Sequence, residues 1–162
     1  MPTITRSNTK FLAVYNRNAD SVYRLCYSFM KNRADAEDLT QETFLKLLAQ
    51  ERTFENERHE KAWLIVTASN LCRDSLKKWW RHHENIDDQQ DLGYEQSFGD
   101  ADLRKALLSL KPEYKTAVYL FYYEGYSTAE IAAHLQCPEA TVRSRLSRAR
   151  GQLRTILGGD AL

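Results

Sequence analysis

Residues 127–157 read STAEIAAHLQCPEATVRSRLSRARGQLRTIL, and two helical patterns follow one another in them. Ser127 and Glu130 have the S-x-x-E spacing of a capping box, which satisfies two orphan amides and opens a short helix, Ser127 to Leu135. After His134-Leu135-Gln136-Cys137-Pro138, a longer helix runs from Pro138 to about Leu157, with Gly158-Gly159 ending it. At about 100° per residue, Val142, Leu146, Ala149 and Leu153 fall in one narrow apolar arc. Ser144, Ser147, Arg148 and Gly151 fall opposite, flanked by Arg143 and Arg145. Glu139 is the one acid near the start, where the helix dipole favours it, against arginines at 143, 145, 148, 150 and 154.

Two helices with so tight a connection match a helix-turn-helix unit. An outer face of small polar and arginine side chains can enter a major groove and hydrogen-bond base edges. A solvated helix with a basic end would carry the same charges. The capped short helix in front is what favours DNA reading. One such module makes few base contacts, and most proteins that carry one dimerise. No dimerisation heptad is present, so an obligate homodimer is not expected. The rest of the chain must add DNA contacts, a partner, or both.

Working outward, Asp102 to Leu110 and Pro112 to Tyr123 read as helices, with Pro112 well placed in a first turn. Ahead of them, residues 84–101 carry six acids and no lysine or arginine, a net −6. Residues 1–83 carry +4 and residues 102–162 carry +3. The total of +1 hides two basic blocks around an acidic strip, and that segregation points to nucleic acid. The strip reads as a flexible linker. The predicted fold class is therefore all-α: a helical domain over 1–83, a linker over 84–101 and a second helical domain over 102–162. No strand pattern or internal repeat competes with it.

The N-terminal block reads as three helices. The first runs from about Lys10 to Met30, with Asn16–Asn18 a candidate break, and turns Val14, Val22, Leu25, Cys26 and Phe29 inward. The second runs from about Ala34 to Gln50, with Leu39, Phe44, Leu47 and Leu48 inward. Its acids Asp35 and Glu37 suit the N-terminal dipole. Asp38, Gln41 and Glu42 extend past the first turn as a polar ridge that this account does not explain. The third runs from about Glu60 to His83, with Trp63, Leu64, Val66, Thr67, Leu71, Ser75 and Leu76 as its inner side. It ends in Lys77, Lys78, Trp79, Trp80 and Arg81. Cations beside tryptophans suit phosphate contact and base stacking, and equally a dipole-matched helix end around one core tryptophan.

Composition narrows the remaining classes. A 43 % hydrophobic share supports packed cores. No membrane-length apolar run and no secretory signal is present, so a cytoplasmic protein is expected. Cys26, Cys72 and Cys137 lack any C-x-x-C pairing; the first two read as core thiols. The histidines lack ligand spacing, so His59 and His134 read as surface or interface residues. No metal, cofactor or catalytic constellation is expected, and the chain does not read as an enzyme.

Three stretches together resemble the extracytoplasmic-function (ECF) sigma factors of the sigma-70 family of bacterial RNA polymerase. Asp35-Ala36-Glu37-Asp38-Leu39-Thr40-Gln41-Glu42-Thr43-Phe44 is similar to their core-polymerase-binding segment in region two. Ala62-Trp63-Leu64 with Asn70 is similar to their minus-ten-reading helix. Residues 123–132 and 141–150 are similar to their region four. The resemblance covers nearly the whole chain, in the right order. It implies promoter-specific initiation of transcription, in an envelope- or environment-stress response. Asp38, Leu39, Gln41 and Glu42 would bind the clamp helices of the polymerase's largest subunit, and region four the flap of the second-largest. The loop from about Arg52 to Lys61, with Asn70 beside it, would capture a flipped minus-ten base, with Phe54, Lys61, Asn70, Arg73, Lys77, Lys78 and Arg81 facing that element. Thr141, Arg143, Ser144, Arg145, Ser147 and Arg148 would read the minus-thirty-five element. A cognate anti-sigma factor is the implied regulator. Cys137 stands where the family often has a capping serine or threonine, and Trp79-Trp80 is outside its pattern. A stand-alone helix-turn-helix regulator and a protein-interaction adaptor are the other readings of the residues. Dependence of transcription on the added chain separates them.

Overall fold

The computed structural model describes residues 6–50, 53–82 and 101–157. Residues 84–100 of the expected linker and the glycines at 158 and 159 lie outside them, while Ala101, expected as the last linker residue, is the first of a helix. Seven α-helices follow in order: α1 Arg6–Met30, α2 Arg33–Ala49, α3 Glu57–His82, α4 Ala101–Ser109, α5 Pro112–Val118, α6 Thr128–Leu135 and α7 Glu139–Leu157. The end of α5 widens into a π-helical turn over Tyr119–Tyr123.

α1 to α3 form a bundle around Val22, Leu25, Phe29, Leu39, Phe44, Leu64, Ile65 and Ala68. The corner between α1 and α2 takes only two residues. Lys31 adopts the left-handed conformation, and Asn32 caps α2 by accepting from the Asp35 amide at 2.8 Å. α1 does not break at Asn16–Asn18. Asn18 donates instead to the Val14 carbonyl at 3.0 Å and to Glu60 at 3.0 Å. Glu60, buried on α3, also receives Arg17 through two bonds of 3.0 Å. A buried carboxylate is tolerable only when so satisfied.

The inner face of α3 is rotated from the one expected. Leu64 is buried as predicted, but its companions are Ile65, Ala68, Ser69 and Cys72. Trp63, Val66, Leu71 and Leu76 pack only partly against the core. Cys26 and Cys72 are buried free thiols, as expected. Their contact, and then burial, raises the Cys72 pKa.

The C-terminal helices pack around Leu107, Leu110, Val118, Leu120, Ile131, Val142, Leu146 and Leu153. They also dock onto the first bundle. Thr116 donates to the Ser69 hydroxyl at 2.7 Å and Tyr119 to the Ser21 carbonyl at 3.1 Å. Lys115, only 2 % exposed, donates to the Ser28 carbonyl. The helices thus assemble through a polar seam as well as through the apolar core.

Candidate nucleic-acid interfaces and partner-binding ridge

The α6–α7 unit is built as its capping box demands. Ser127 Oγ accepts from the Glu130 amide at 3.1 Å, and Glu130 Oε1 accepts from the Ser127 amide at 3.0 Å. The turn passes through Gln136 in a left-handed conformation. Glu139 then ties the two helices, accepting from Thr128 at 2.8 Å and pairing with Arg143 at 2.9 Å. Val142, Leu146, Ala149 and Leu153 are buried. Arg143, Ser144, Ser147 and Arg148 are exposed, and Thr141 and Arg145 are half-buried. Thr141, Ser144, Arg145 and Arg148 line an open groove of about 470 Å³ with Tyr114 and Glu113 of α5. Arg150 is half-buried and Arg154 exposed, nearer the edge of the packed stripe.

On α3, helical geometry sets Asn70, Lys77 and Arg81 on the side opposite the buried residues, with Lys78 beside them. All four are exposed. Phe54 folds back onto α3, its ring 5.7 Å from Trp63 and 5.4 Å from His59. Asn70 stands seven residues, about 10 Å, further along the same face as Trp63. Two of the expected contact residues are already engaged. Lys61 pairs with Glu124 at 3.3 Å, and Arg73 reaches Thr116 at 3.4 Å, leaving its buried Nε without a partner. Burial, and then the charge of Arg145, lower the Arg73 pKa. Trp80 is 48 % exposed and borders a cleft of about 410 Å³ with Arg73, Leu76, Lys77 and Pro112. Arg52 lies outside the described residues.

The ridge on α2 stands as drawn at Asp38, Gln41 and Glu42, all exposed. Leu39 does not belong to it: at 6 % exposure it packs in the bundle core. Leu48, expected inward, points out at 56 % exposure, and Leu45 does so at 61 %. Gln41, Leu45 and Leu48 lie within one arc of the helix, so the ridge continues as an apolar patch. The sequence signals only an excess, since α2 carries more apolar residues than one inward stripe can hold; which of them turn outward is set by the bundle.

A second cluster joins the start of α3 to the C-terminal helices. Arg58 donates to both Glu130 oxygens at 2.7 and 2.9 Å and to the Gly125 carbonyl at 2.9 Å. It also sits 4.0 Å over the Tyr126 ring, whose hydroxyl donates to the Arg58 carbonyl at 2.6 Å. The Arg58 contact, with the Ser127 amide next, holds the Glu130 carboxyl down at about 2. Burial pushes Tyr126 up to about 12. The His59 and His134 rings lie 5.4 Å apart, tilted by 40°, as a pair across the same interface. Nothing local in the sequence pairs Arg58 with a residue 72 positions away.

Two family models match the chain: Sigma-70 region 2 over residues 14–82 and Sigma-70, region 4 over residues 100–153. The chain is similar to the ECF RNA polymerase sigma factor SigE of Mycolicibacterium smegmatis, at 40 % identity over 152 residues. That alignment covers 87 % of this chain but 59 % of the relative, so the chain spans under two thirds of that protein. It is 35 % identical over 144 residues to the RNA polymerase sigma factor SigV of Bacillus subtilis, covering 86 % of each. Among solved structures, it is similar to the sigma factor RpoE of Bartonella quintana, crystallised with the anti-sigma factor NepR. The TM-score there is 0.76 at 26 % identity, over 93 % of this chain and 98 % of that one.

Proposed function

The chain belongs to the sigma-70 family of RNA polymerase sigma factors, in its ECF group, and from that membership we propose how its surfaces divide the work of promoter-specific initiation. Residues 1–83 form the unit that binds core polymerase and the minus-ten element, residues 84–101 the connection, and residues 102–162 the unit that reads the minus-thirty-five element. Asp38, Gln41 and Glu42 bind the clamp helices of the largest polymerase subunit, and Leu45 and Leu48 extend that contact. Asn70, Lys77, Lys78 and Arg81 face minus-ten DNA, joined by Phe54, Lys61 and Arg73 once these leave their present partners. Ser144, Ser147 and Arg148 read base edges, with Thr141, Arg143 and Arg145 beside them, while the same unit meets the flap of the second-largest subunit. The observation that carries this reading is the α7 outer face: the exposed side chains of Ser144, Ser147 and Arg148, opposite a fully buried stripe.

The role is to direct a polymerase, without catalysis of its own, in an envelope- or environment-stress response. The likeness to a sigma factor crystallised with an anti-sigma factor supports a cognate anti-sigma partner here too. No helix among the described residues is long and apolar enough to cross a membrane. The test is run-off transcription by purified core polymerase from promoters selected out of random DNA. Transcripts are expected only when the chain is added. Tight duplex binding without polymerase, and no stimulation of transcription, would make it a stand-alone regulator instead.

A further inference from the structure

Among the described residues, Arg143 is the one arginine of α7 held in an ion pair, with Glu139 at 2.9 Å. The oxygen that meets it, Glu139 Oε1, also accepts from the Thr128 hydroxyl at 2.8 Å, across the turn on α6. Glu139 is thus held by its backbone in the first turn of α7 and by its carboxylate at the start of α6. The Arg143 and Glu139 side chains are 60 % and 43 % exposed, and a pair so open to water adds little to stability. What it supplies is geometry. Held through Nη1, the guanidinium still presents the N–H groups of Nε and Nη2 side by side, the two donors that O6 and N7 of a guanine accept. Arg143 also stands in the first half of α7, beside the exposed Ser144 and one turn before the exposed Ser147. The N-terminal part of a recognition helix is the part that meets base edges.

We propose that Glu139, braced by Thr128, is a positioning residue for base selection: it fixes Arg143 in the rotamer that reads one G·C pair of the minus-thirty-five element. The inference rests on the reading of α7 as the minus-thirty-five helix. An unbraced arginine would have to be immobilised on binding DNA, and it could as well turn to a phosphate, a contact that carries no sequence information. The brace lowers the first cost and closes the second route. Its effect on affinity has the opposite sign, because a carboxylate at the groove is repelled by the phosphates of every sequence. Glu139 therefore raises discrimination while lowering sequence-independent binding. An acid that served only the helix dipole would leave discrimination untouched.

The test measures binding of holoenzyme, assembled from core polymerase and the full chain, to a fluorescent promoter selected out of random DNA and to its single-base minus-thirty-five variants. Arg143→Ala locates the base pair, by a loss of discrimination there on the order of five- to hundredfold. Glu139→Ala should lose on the order of two- to tenfold at that same pair, and bind the disfavoured promoters as well as the wild type does or better. Glu139→Gln keeps an acceptor for both partners and should retain more of the discrimination than Glu139→Ala. Thr128→Val should lose part of it with every charge on α7 in place, so it decides the matter even if a Glu139 variant folds poorly. Combined with Arg143→Ala, Glu139→Ala should cost no further discrimination. A uniform change on all promoters for Glu139→Ala, in either direction, would overturn the proposal, and so would a further loss in the double variant. If Arg143→Ala changes no preference, Arg143 reads no base and the brace has no part in selection, while the reading of α7 itself then stands or falls on Arg148.

Discussion

α3 and α7 are both long helices that carry many cations, yet they are held differently. α7 packs through one stripe against α4, α5 and α6, and its outer side is free. α3 is gripped by α1 and α2 on one flank and by α5 and α6 on another. Its polar residues are therefore divided between solvent, as at Asn70 and Lys77, and the seam, as at Ser69 and Arg73. Polar character marks an outward face only on a helix with one set of partners. On a helix with two, a serine or an arginine can be interior because another element brings it a partner.

The largest expected effect tests this burial pattern directly. Leu146→Ala on α7 and Ile65→Ala on α3 should each lose about 2–5 kcal/mol of stability in urea denaturation. Thr67→Ala, at a position that sequence periodicity places inside α3, should lose under about 1 kcal/mol. Equal losses at Ile65 and Thr67 would restore the periodicity-based face and dissolve the contrast.

The free face of α7 gives the next test. Arg148→Ala should relax selectivity at one or two minus-thirty-five base pairs by about 1–3 kcal/mol. Arg154→Ala should do less, and equally on all sequences, with a shallower salt dependence if it touches phosphate. Run-off transcription on single-base promoter variants at two salt concentrations separates the two. A uniform loss for Arg148→Ala would mean that this face touches only backbone. Asn70→Ala is the matching change on α3, expected to alter preference at one minus-ten position by about 1–3 kcal/mol in open-complex assays. Unfolding of that variant would assign Asn70 to structure.

The α2 ridge comes third. Asp38→Arg with Gln41→Ala should weaken core-polymerase binding, and Leu45→Ala with Leu48→Ala should do so by roughly 1–2 kcal/mol, the fold remaining intact. Wild-type retention of either pair in a pull-down with core polymerase would remove those residues from the interface. Smallest is Gln136→Gly at the α6–α7 turn. It relieves a left-handed non-glycine residue and should gain about 0.5–1 kcal/mol in thermal melts. A loss instead would show that the Gln136 side chain matters more than its backbone.

Where a residue's environment comes from its own helix, periodicity and end chemistry were enough. The Val142–Leu146–Ala149–Leu153 stripe, the Ser127–Glu130 box and the exposure of Ser144 and Arg148 were all legible, because each depends on neighbours three or four positions away. So were the helical class and the order of the family's motifs. The fate of Leu39, Leu45 and Leu48 was not, since α2 offers more apolar residues than one face can bury and only the bundle selects among them. Asn18 marks a break in sequence terms and holds a continuous helix in fact, because Glu60 waits 42 residues on. The seam was beyond reach altogether. Lys115 meets Ser28 across 87 residues and Tyr119 meets Ser21 across 98, and no local pattern announces a lysine that will be buried between two helical units. Such contacts follow from shape and polar complementarity between assembled surfaces, which exist only once the helices have packed.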